Sequence, residues 1–282
     1  MRTWLFVPGH DAPKIRKALA LDADAVIVDW EDAVPPQQKD AAREITAELL
    51  AQTPTTRRLV VRINGAGDAG HAADIAALPA LPIAAVMLPK AEEPAVVAHL
   101  AEVSGLPVIP LVESALGVER AFEIASAHAR VERLAFGSLD FLSDIGGQWS
   151  PQGEGFLYAR SRVVVAGRAA GLAGAVDSVY PQLDDSEGLR QDAALARRLG
   201  FAGKLLLHPA QIAIVRDAFA PTPDEIAQAT RIVRAFEEAL AANRAAVSLD
   251  GRFVDPPVVR WAQQVLREVG AAAAPPDASA EP

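Results

Sequence analysis

The chain has 282 residues, 51% of them hydrophobic and 22% charged, enough for one sizeable core and compatible with one or two domains. A formal net charge of −9 argues against a general nucleic-acid or membrane-surface binder, because phosphate backbones and anionic lipids need a positive patch; a local basic site for an anionic ligand stays open. The absence of cysteine removes disulfides, thiolate chemistry and zinc–thiolate sites and fits the cytoplasm, and no apolar run approaches the roughly 20 residues of a membrane helix.

In chain order, Met1–Gly9 lacks the apolar region of a signal peptide, and Thr3–Val7 reads as a first strand followed by a helical pattern over Ala12–Leu21. Ala25–Trp30 is the second strand, with a helix over Gln38–Ala51, and Arg58–Ile63, Ala84–Leu88 and Pro107–Val112 follow as the third to fifth. A helix over Ser114–His128 leads to Arg133–Phe136; then come Ala175–Val179, a helix over Ser186–Leu199, and Lys204–Leu207 as the eighth strand. Strands this continuously apolar, alternating with helices, imply a parallel sheet buried on both faces. Eight such units close most economically into an α/β (β/α)8 TIM barrel, usually of about 250 residues. An open doubly wound sheet is the runner-up, but no G-x-G-x-x-G turn follows the first strand. Residues 1–220 are therefore expected to form the barrel and 221–270 a helical extension: a helix from Pro223-Asp224-Glu225 to about Ala245, a turn at Asp250-Gly251, and a helix over Pro256–Val269. The Ala/Pro/Asp/Ser/Glu composition of 271–282 is that of a disordered tail.

Barrel enzymes carry their chemistry at the C-terminal strand ends. There the sequence places Gly9-His10, Asp29/Glu31/Asp32, Arg62 with Asn64, Lys90, Glu113-Ser114, Asp140, Tyr180 with Gln182, and His208, while the opposite ends are bland. Several carboxylates without cysteine suit a hard cation, Mg²⁺ above all, which takes one or two protein carboxylates. Glu113 and Asp140, on neighbouring strands, are the best-placed pair. Asp144 reads equally as a turn residue or a ligand; His208 before Pro209 reads better as a hydrogen-bonded rim histidine than as a base, and Lys90 is explicable as a solvated lysine. Arg62 is harder to dismiss, since a guanidinium at a buried mouth needs an anion and offers a bidentate fork. Asp29, Glu31 and Asp32 cannot all face one ion, because strand neighbours alternate in direction. They are expected to stand behind the cation, holding its waters and orienting Arg62.

Specific stretches carry a resemblance: Trp4-Leu5-Phe6-Val7-Pro8-Gly9, Val28-Asp29-Trp30-Glu31-Asp32-Ala33-Val34-Pro35 with Lys39 and Arg43, Val61-Arg62-Ile63-Asn64, Leu88-Pro89-Lys90, Val112-Glu113-Ser114-Ala115, Phe136-Gly137-Ser138-Leu139-Asp140-Phe141 and Leu207-His208-Pro209-Ala210-Gln211-Ile212. Together they resemble the citrate lyase beta-subunit-like proteins, grouped with malyl-CoA and citramalyl-CoA lyases in the HpcH/HpaI aldolase superfamily. The resemblance runs in order over residues 2 to 270. It implies a TIM barrel that cleaves a 3-hydroxyacyl-CoA thioester into an acyl-CoA, usually acetyl-CoA, and a 2-oxo acid. It also implies Mg²⁺ on Glu113 and Asp140, substrate oxygen on Arg62, Asp255 contributed to a neighbouring subunit's site, and a homo-oligomer, trimer or hexamer. Citrate lyase complex subunits that present acyl-carrier thioesters are further partners it suggests.

The chemistry agrees. Breaking a carbon–carbon bond beside a thioester leaves an enolate and a carbonyl, so oxygen charge needs a Lewis acid and a fixed cation. Asp255 is the candidate for proton exchange at the acyl carbon. Lys14, Arg16 and Lys17 on the first helix are candidates for the CoA phosphates, or simply a solvated face. Where the resembling proteins often carry an acidic residue before Asp140, this chain has Leu139; Trp30 and His10 also depart from the pattern. Two alternatives remain: a CoA-independent pyruvate aldolase of the same superfamily, and a catalytically silent barrel that binds acyl-CoA or a partner.

Overall fold

In the computed structural model, which describes residues 1–52, 58–241 and 246–273, strands β1 (Thr3–Pro8), β2 (Ala25–Asp29), β3 (Arg58–Arg62) and β4 (Ala85–Leu88) alternate with helices α1 (Ala12–Ala20), α2 (Lys39–Gln52) and α3 (His71–Ala77). There follow α4 (Pro94–Ser104), β5 (Val108–Val112), α5 (Ala115–Glu119), α6 (Ala121–Ala125), β6 (Ala135–Phe136), α7 (Ser138–Asp144), α8 (Leu157–Ala169), β7 (Val176–Asp177), α9 (Ser186–Leu199), β8 (Gly203–Leu206) and α10 (Gln211–Ala218). The eight strands are parallel, pair in sequence order and close through β8 on β1, a TIM barrel as the strand count predicts.

Strand alternation divides the core in two. Trp4, Ile27, Val60, Met87, Ile109 and Leu205 fill the barrel interior, while their strand neighbours, such as Leu5, Val26, Val61 and Leu206, pack against the surrounding helices. At the ends of β2, β3 and β5 the inward series continues into ionisable residues: Ile27 is followed two residues on by Asp29, Val60 by Arg62, and Leu111 by Glu113. This is why the polar groups converge over the barrel. Outside it, Asp177 on β7 and Lys204 on β8 are adjacent in register and join Arg160 of α8 and Asp192 of α9 in a buried ionic cluster.

The predicted helix over Ser114–His128 is instead two short ones. Ser114 is the N-cap, accepting from the Gly117 N–H at 3.1 Å, and the chain leaves helical geometry at Arg120. Gly117 weakens helix propensity there, but a side chain at this position would meet the Ala91 carbonyl at 2.7 Å, so close packing imposes the glycine.

The chain divides into two compact units, Met1–Phe219 and Ala220–Pro282. The second contains α11 (Pro223–Ala241), a hairpin of β9 (Val247–Leu249) and β10 (Arg252–Val254), and α12 (Pro256–Ala273), around a small core of Ala229, Ile232, Val254, Val259, Ala262 and Val265. The turn expected at Asp250-Gly251 is present. Both residues have positive φ, 51° and 75°, as a two-residue hairpin turn requires, and this joins strands that the sequence reading did not anticipate. Residues 271–273, expected in the tail, continue α12, consistent with the high helix propensity of alanine. Residues 242–245 of the predicted helix and 274–282 of the predicted tail lie outside the described residues. No described helix is long and apolar enough to cross a membrane.

Candidate active site

Arg62 and Asp29 end adjacent strands in register. Arg62 Nε donates to Asp29 Oδ1 at 2.7 Å and Nη2 to Oδ2 at 2.6 Å, the bidentate geometry that a guanidinium and a carboxylate favour. Asp29, only 1% exposed, also accepts from the backbone N–H of Glu31 at 2.9 Å and of Ala33 at 3.1 Å, so it shapes the turn after β2 as well. The guanidinium lies 4.8 Å from the centre of the Phe6 ring. Burial disfavours its charge, but Asp29, Glu31 and Glu113 outweigh that and hold its pKa above the ordinary arginine value.

Glu31 is on the same side as Asp29, two residues on. Its Oε2 lies 2.9 Å from Arg62 Nη1 without hydrogen-bond alignment, and its Oε1 accepts from Lys90 Nζ at 2.8 Å. Burial raises the Glu31 pKa despite both cations. Asp32 is 57% exposed, and its Oδ2 lies 4.0 Å from Arg62 Nη1, at the outer limit of an ion pair. All three acidic residues thus lie within 4.0 Å of the guanidinium, two of them buried and the third exposed.

Glu113 is buried just beyond β5, and its Oε1 accepts from the Lys90 N–H at 2.8 Å. Burial, reinforced by the nearby Glu31 carboxylate, pushes its pKa up to about 8. Gly137 makes room for it: a Cβ there would stand 2.5 Å from Glu113 Oε2 and 2.7 Å from Glu113 Cβ. Asp140, in the first turn of α7, is exposed. Glu113 and Asp140 both line a cavity of about 640 Å³, with Lys90, Ser114, Asp144 and the Gly65–Asp68 loop on its walls.

Among the described residues no group of three or more metal-ligating side chains is assembled. Glu113 and Asp140, which share the cavity wall, could hold a cation. Two carboxylate donors suit Mg²⁺, which fills its remaining positions with water or substrate oxygen. Burial and the nearby Glu31 carboxylate disfavour the charged form of Glu113, and a divalent ion beside it would favour that form.

Other predicted positions have different roles. Asp144 Oδ2 accepts from the Ala115 N–H at 2.7 Å, tying α7 to the start of α5, though it also lines the cavity. Exposed His208 accepts from the Ala210 N–H at 3.2 Å through Nδ1, a local turn bond. Buried Tyr180 donates to Asp185 at 2.6 Å, its carbonyl accepts from Gln211, and Gln182 is exposed. Lys14, Arg16 and Lys17 are exposed on α1, and Lys14 pairs with Asp11 at 2.9 Å; none of the three lines the cavity. In the second unit, Asp255 caps α12, accepting from the Val258 N–H at 3.3 Å.

One organising residue lies away from the strand ends, at the start of α2. Lys39 Nζ donates to the carbonyls of Trp30 at 2.8 Å and Glu31 at 2.6 Å and to Asn64 Oδ1 at 2.6 Å. Asn64 in turn donates to buried Asp74 through its backbone N–H and side-chain amide, at 2.7 and 2.6 Å. Lys39 thus ties the loop after β2 to the loop after β3.

Residues 2–209 match the HpcH/HpaI aldolase/citrate lyase family. The chain is 38% identical over 279 residues to the citrate lyase subunit beta of Leuconostoc mesenteroides subsp. cremoris, covering 94% of this chain and 92% of that protein. It is 35% identical over 275 residues to the (3S)-malyl-CoA thioesterase of Cereibacter sphaeroides, covering 97% and 96%. Among solved structures, the protein CitE from Mycobacterium tuberculosis, in complex with magnesium, acetoacetate and coenzyme A, is similar with a TM-score of 0.85 and 36% identity, over 95% of this chain and 97% of that one. The chain therefore belongs to the HpcH/HpaI aldolase/citrate lyase family and, within it, to the citrate lyase beta-subunit-like lyases.

Proposed function

We propose that this protein is a Mg²⁺-dependent carbon–carbon lyase of 3-hydroxyacyl-CoA thioesters of the citryl-CoA, malyl-CoA or citramalyl-CoA type, yielding acetyl-CoA or another acyl-CoA and a 2-oxo acid. The observation that carries the reading is a fixed guanidinium and a buried carboxylate brought to one barrel mouth. Arg62 is held there by Asp29, and Glu113 lines a cavity with Asp140.

Glu113 and Asp140 would hold Mg²⁺, which would supply Lewis acidity at the hydroxyl oxygen of the carbon that becomes the oxo acid's carbonyl. Two Arg62 hydrogens bind Asp29, leaving both on Nη1 and one on Nη2 for a substrate carboxylate or carbonyl oxygen. Because the guanidinium is fixed before substrate arrives, its charge is in place when negative charge develops. As the bond breaks, the substrate hydroxyl gives up its proton and the acyl carbon gains one. Asp255, assigned from the resemblance and acting in a neighbouring copy, is our candidate for that exchange. The bound magnesium, acetoacetate and coenzyme A of the M. tuberculosis relative support the ligand set.

The test is incubation with malyl-CoA, citramalyl-CoA and citryl-CoA, with and without Mg²⁺. Carbon–carbon cleavage keeps CoA esterified and releases an oxo acid. Thioester hydrolysis, the activity named for the C. sphaeroides relative, releases a free thiol and a hydroxy acid. If no thioester is cleaved, and Glu113→Ala leaves Mg²⁺ affinity unchanged, the reading fails.

A further inference from the structure

Lys90, just past β4, is one of only two non-glycine residues with a positive φ among those described, at 50°. The left-handed region crowds the Cβ of a lysine, so surrounding contacts must hold it there, and such strain tends to persist where a site uses it. Both ends of Lys90 are engaged. Its N–H donates to Glu113 Oε1 at 2.8 Å, and its Nζ donates to Glu31 Oε1 at 2.8 Å. Glu31 in turn lies 2.9 Å from Arg62 Nη1. The side chain is 49% exposed and lines the cavity that Glu113 and Asp140 share.

We propose that Lys90 is a positioning residue that couples the two halves of the site: its main chain fixes Glu113, and its ammonium fixes Glu31 and, through it, Arg62. What Glu113 and Arg62 bind rests on the lyase reading. The two links are separable, because substituting the side chain removes the ammonium and keeps the N–H. Without the ammonium, Glu31 loses the contact that fixes it and no longer holds Arg62 Nη1 in place for the oxo acid. Loss of the lysine charge should therefore weaken oxo-acid binding and spare the cation.

Calorimetry on the full chain tests this, titrating Mg²⁺ alone and then pyruvate, as a 2-oxo acid probe, into the Mg²⁺-loaded protein. For K90M we expect a Mg²⁺ Kd within about threefold of wild type and a pyruvate Kd about tenfold weaker, with K90R recovering most of the loss. E31Q should weaken pyruvate similarly, and K90M/E31Q should be no worse than the weaker single variant, because the two residues act through one contact. K90G keeps the N–H and relaxes the backbone, so it should melt above K90M. The proposal is overturned if K90M weakens Mg²⁺ as much as pyruvate, or if the two single effects add. Wild-type protein that binds both probes but cleaves no thioester overturns the lyase reading alone, and wild type that binds no Mg²⁺ overturns both.

Discussion

Asp29 and Arg62 are register partners at the ends of β2 and β3, and their side chains meet in two hydrogen bonds of 2.7 and 2.6 Å. The pair is buried, so losing either partner weakens the balance of charge in a low-dielectric site: Arg62 keeps only Glu31, at 2.9 Å and without hydrogen-bond alignment, as a close partner.

Asp29→Asn keeps the shape of the side chain but removes its charge and turns an NH₂ toward one guanidinium nitrogen. Urea denaturation should show a loss of about 3 kcal/mol, the lower end for breaking a buried pair. Arg62→Lys keeps a cation but cannot bridge both Asp29 oxygens. Its kcat/KM should fall about 10²-fold, with a smaller change in the denaturation midpoint.

Gly137→Ala tests the packing behind Glu113. The glycine has φ −113°, which any residue adopts, so the cost is purely steric: the added methyl would overlap the Glu113 side chain. Glu113 must swing aside. A Mg²⁺ titration should show affinity weakened about tenfold, with the far-UV spectrum unchanged.

Lys204→Met addresses the ionic cluster outside the barrel. Lys204 Nζ lies 2.6 Å from Asp177 and 2.5 Å from Asp192, and its removal leaves Arg160 to face both carboxylates. We expect a loss of about 3–5 kcal/mol in urea denaturation. Below the unfolding transition Mg²⁺ affinity should be retained, since the cluster packs behind the strands.

Asp24 gives a pH signature. Burial raises its pKa, but the N–H groups of Arg2 and Thr3, donating at 2.6 and 3.0 Å, and the Thr3 hydroxyl overcome this and leave it below the ordinary value. A depressed folded-state pKa stabilises the fold above the unfolded value, about 3.9, and that contribution is lost as pH falls through the folded value. Asp24→Asn should therefore be less stable than wild type at pH 7. In urea midpoints measured at pH 7, 4 and 3, the gap should narrow steadily below about pH 4.

Some roles were readable in the residues and others were not. Arg62 announced itself as a guanidinium on an apolar strand, which needs an anion, but only the register of β2 and β3 identifies that anion as Asp29. Alternation leads to the expectation that Asp29, Glu31 and Asp32 cannot all face one ion, but only the structure shows how differently they meet Arg62: in two hydrogen bonds, at 2.9 Å, and at 4.0 Å from an exposed position. Lys90 read as a solvated lysine because nothing local signals its positive φ or its two carboxylate partners. Lys39 enters the sequence reading only through the resemblance, with no role, for a related reason: its three acceptors come from two loops, one of them 25 residues away.

By itself the sequence determined the eight strand–helix units, and hence a parallel barrel with polar groups at one end, because hydrophobic period and turn chemistry act over a few residues. Tertiary structure alone decided which of those groups meet. Strand register and barrel closure bring together side chains far apart in the chain, as with Glu31 and Lys90, 59 residues apart, and burial then changes the charge that each can carry.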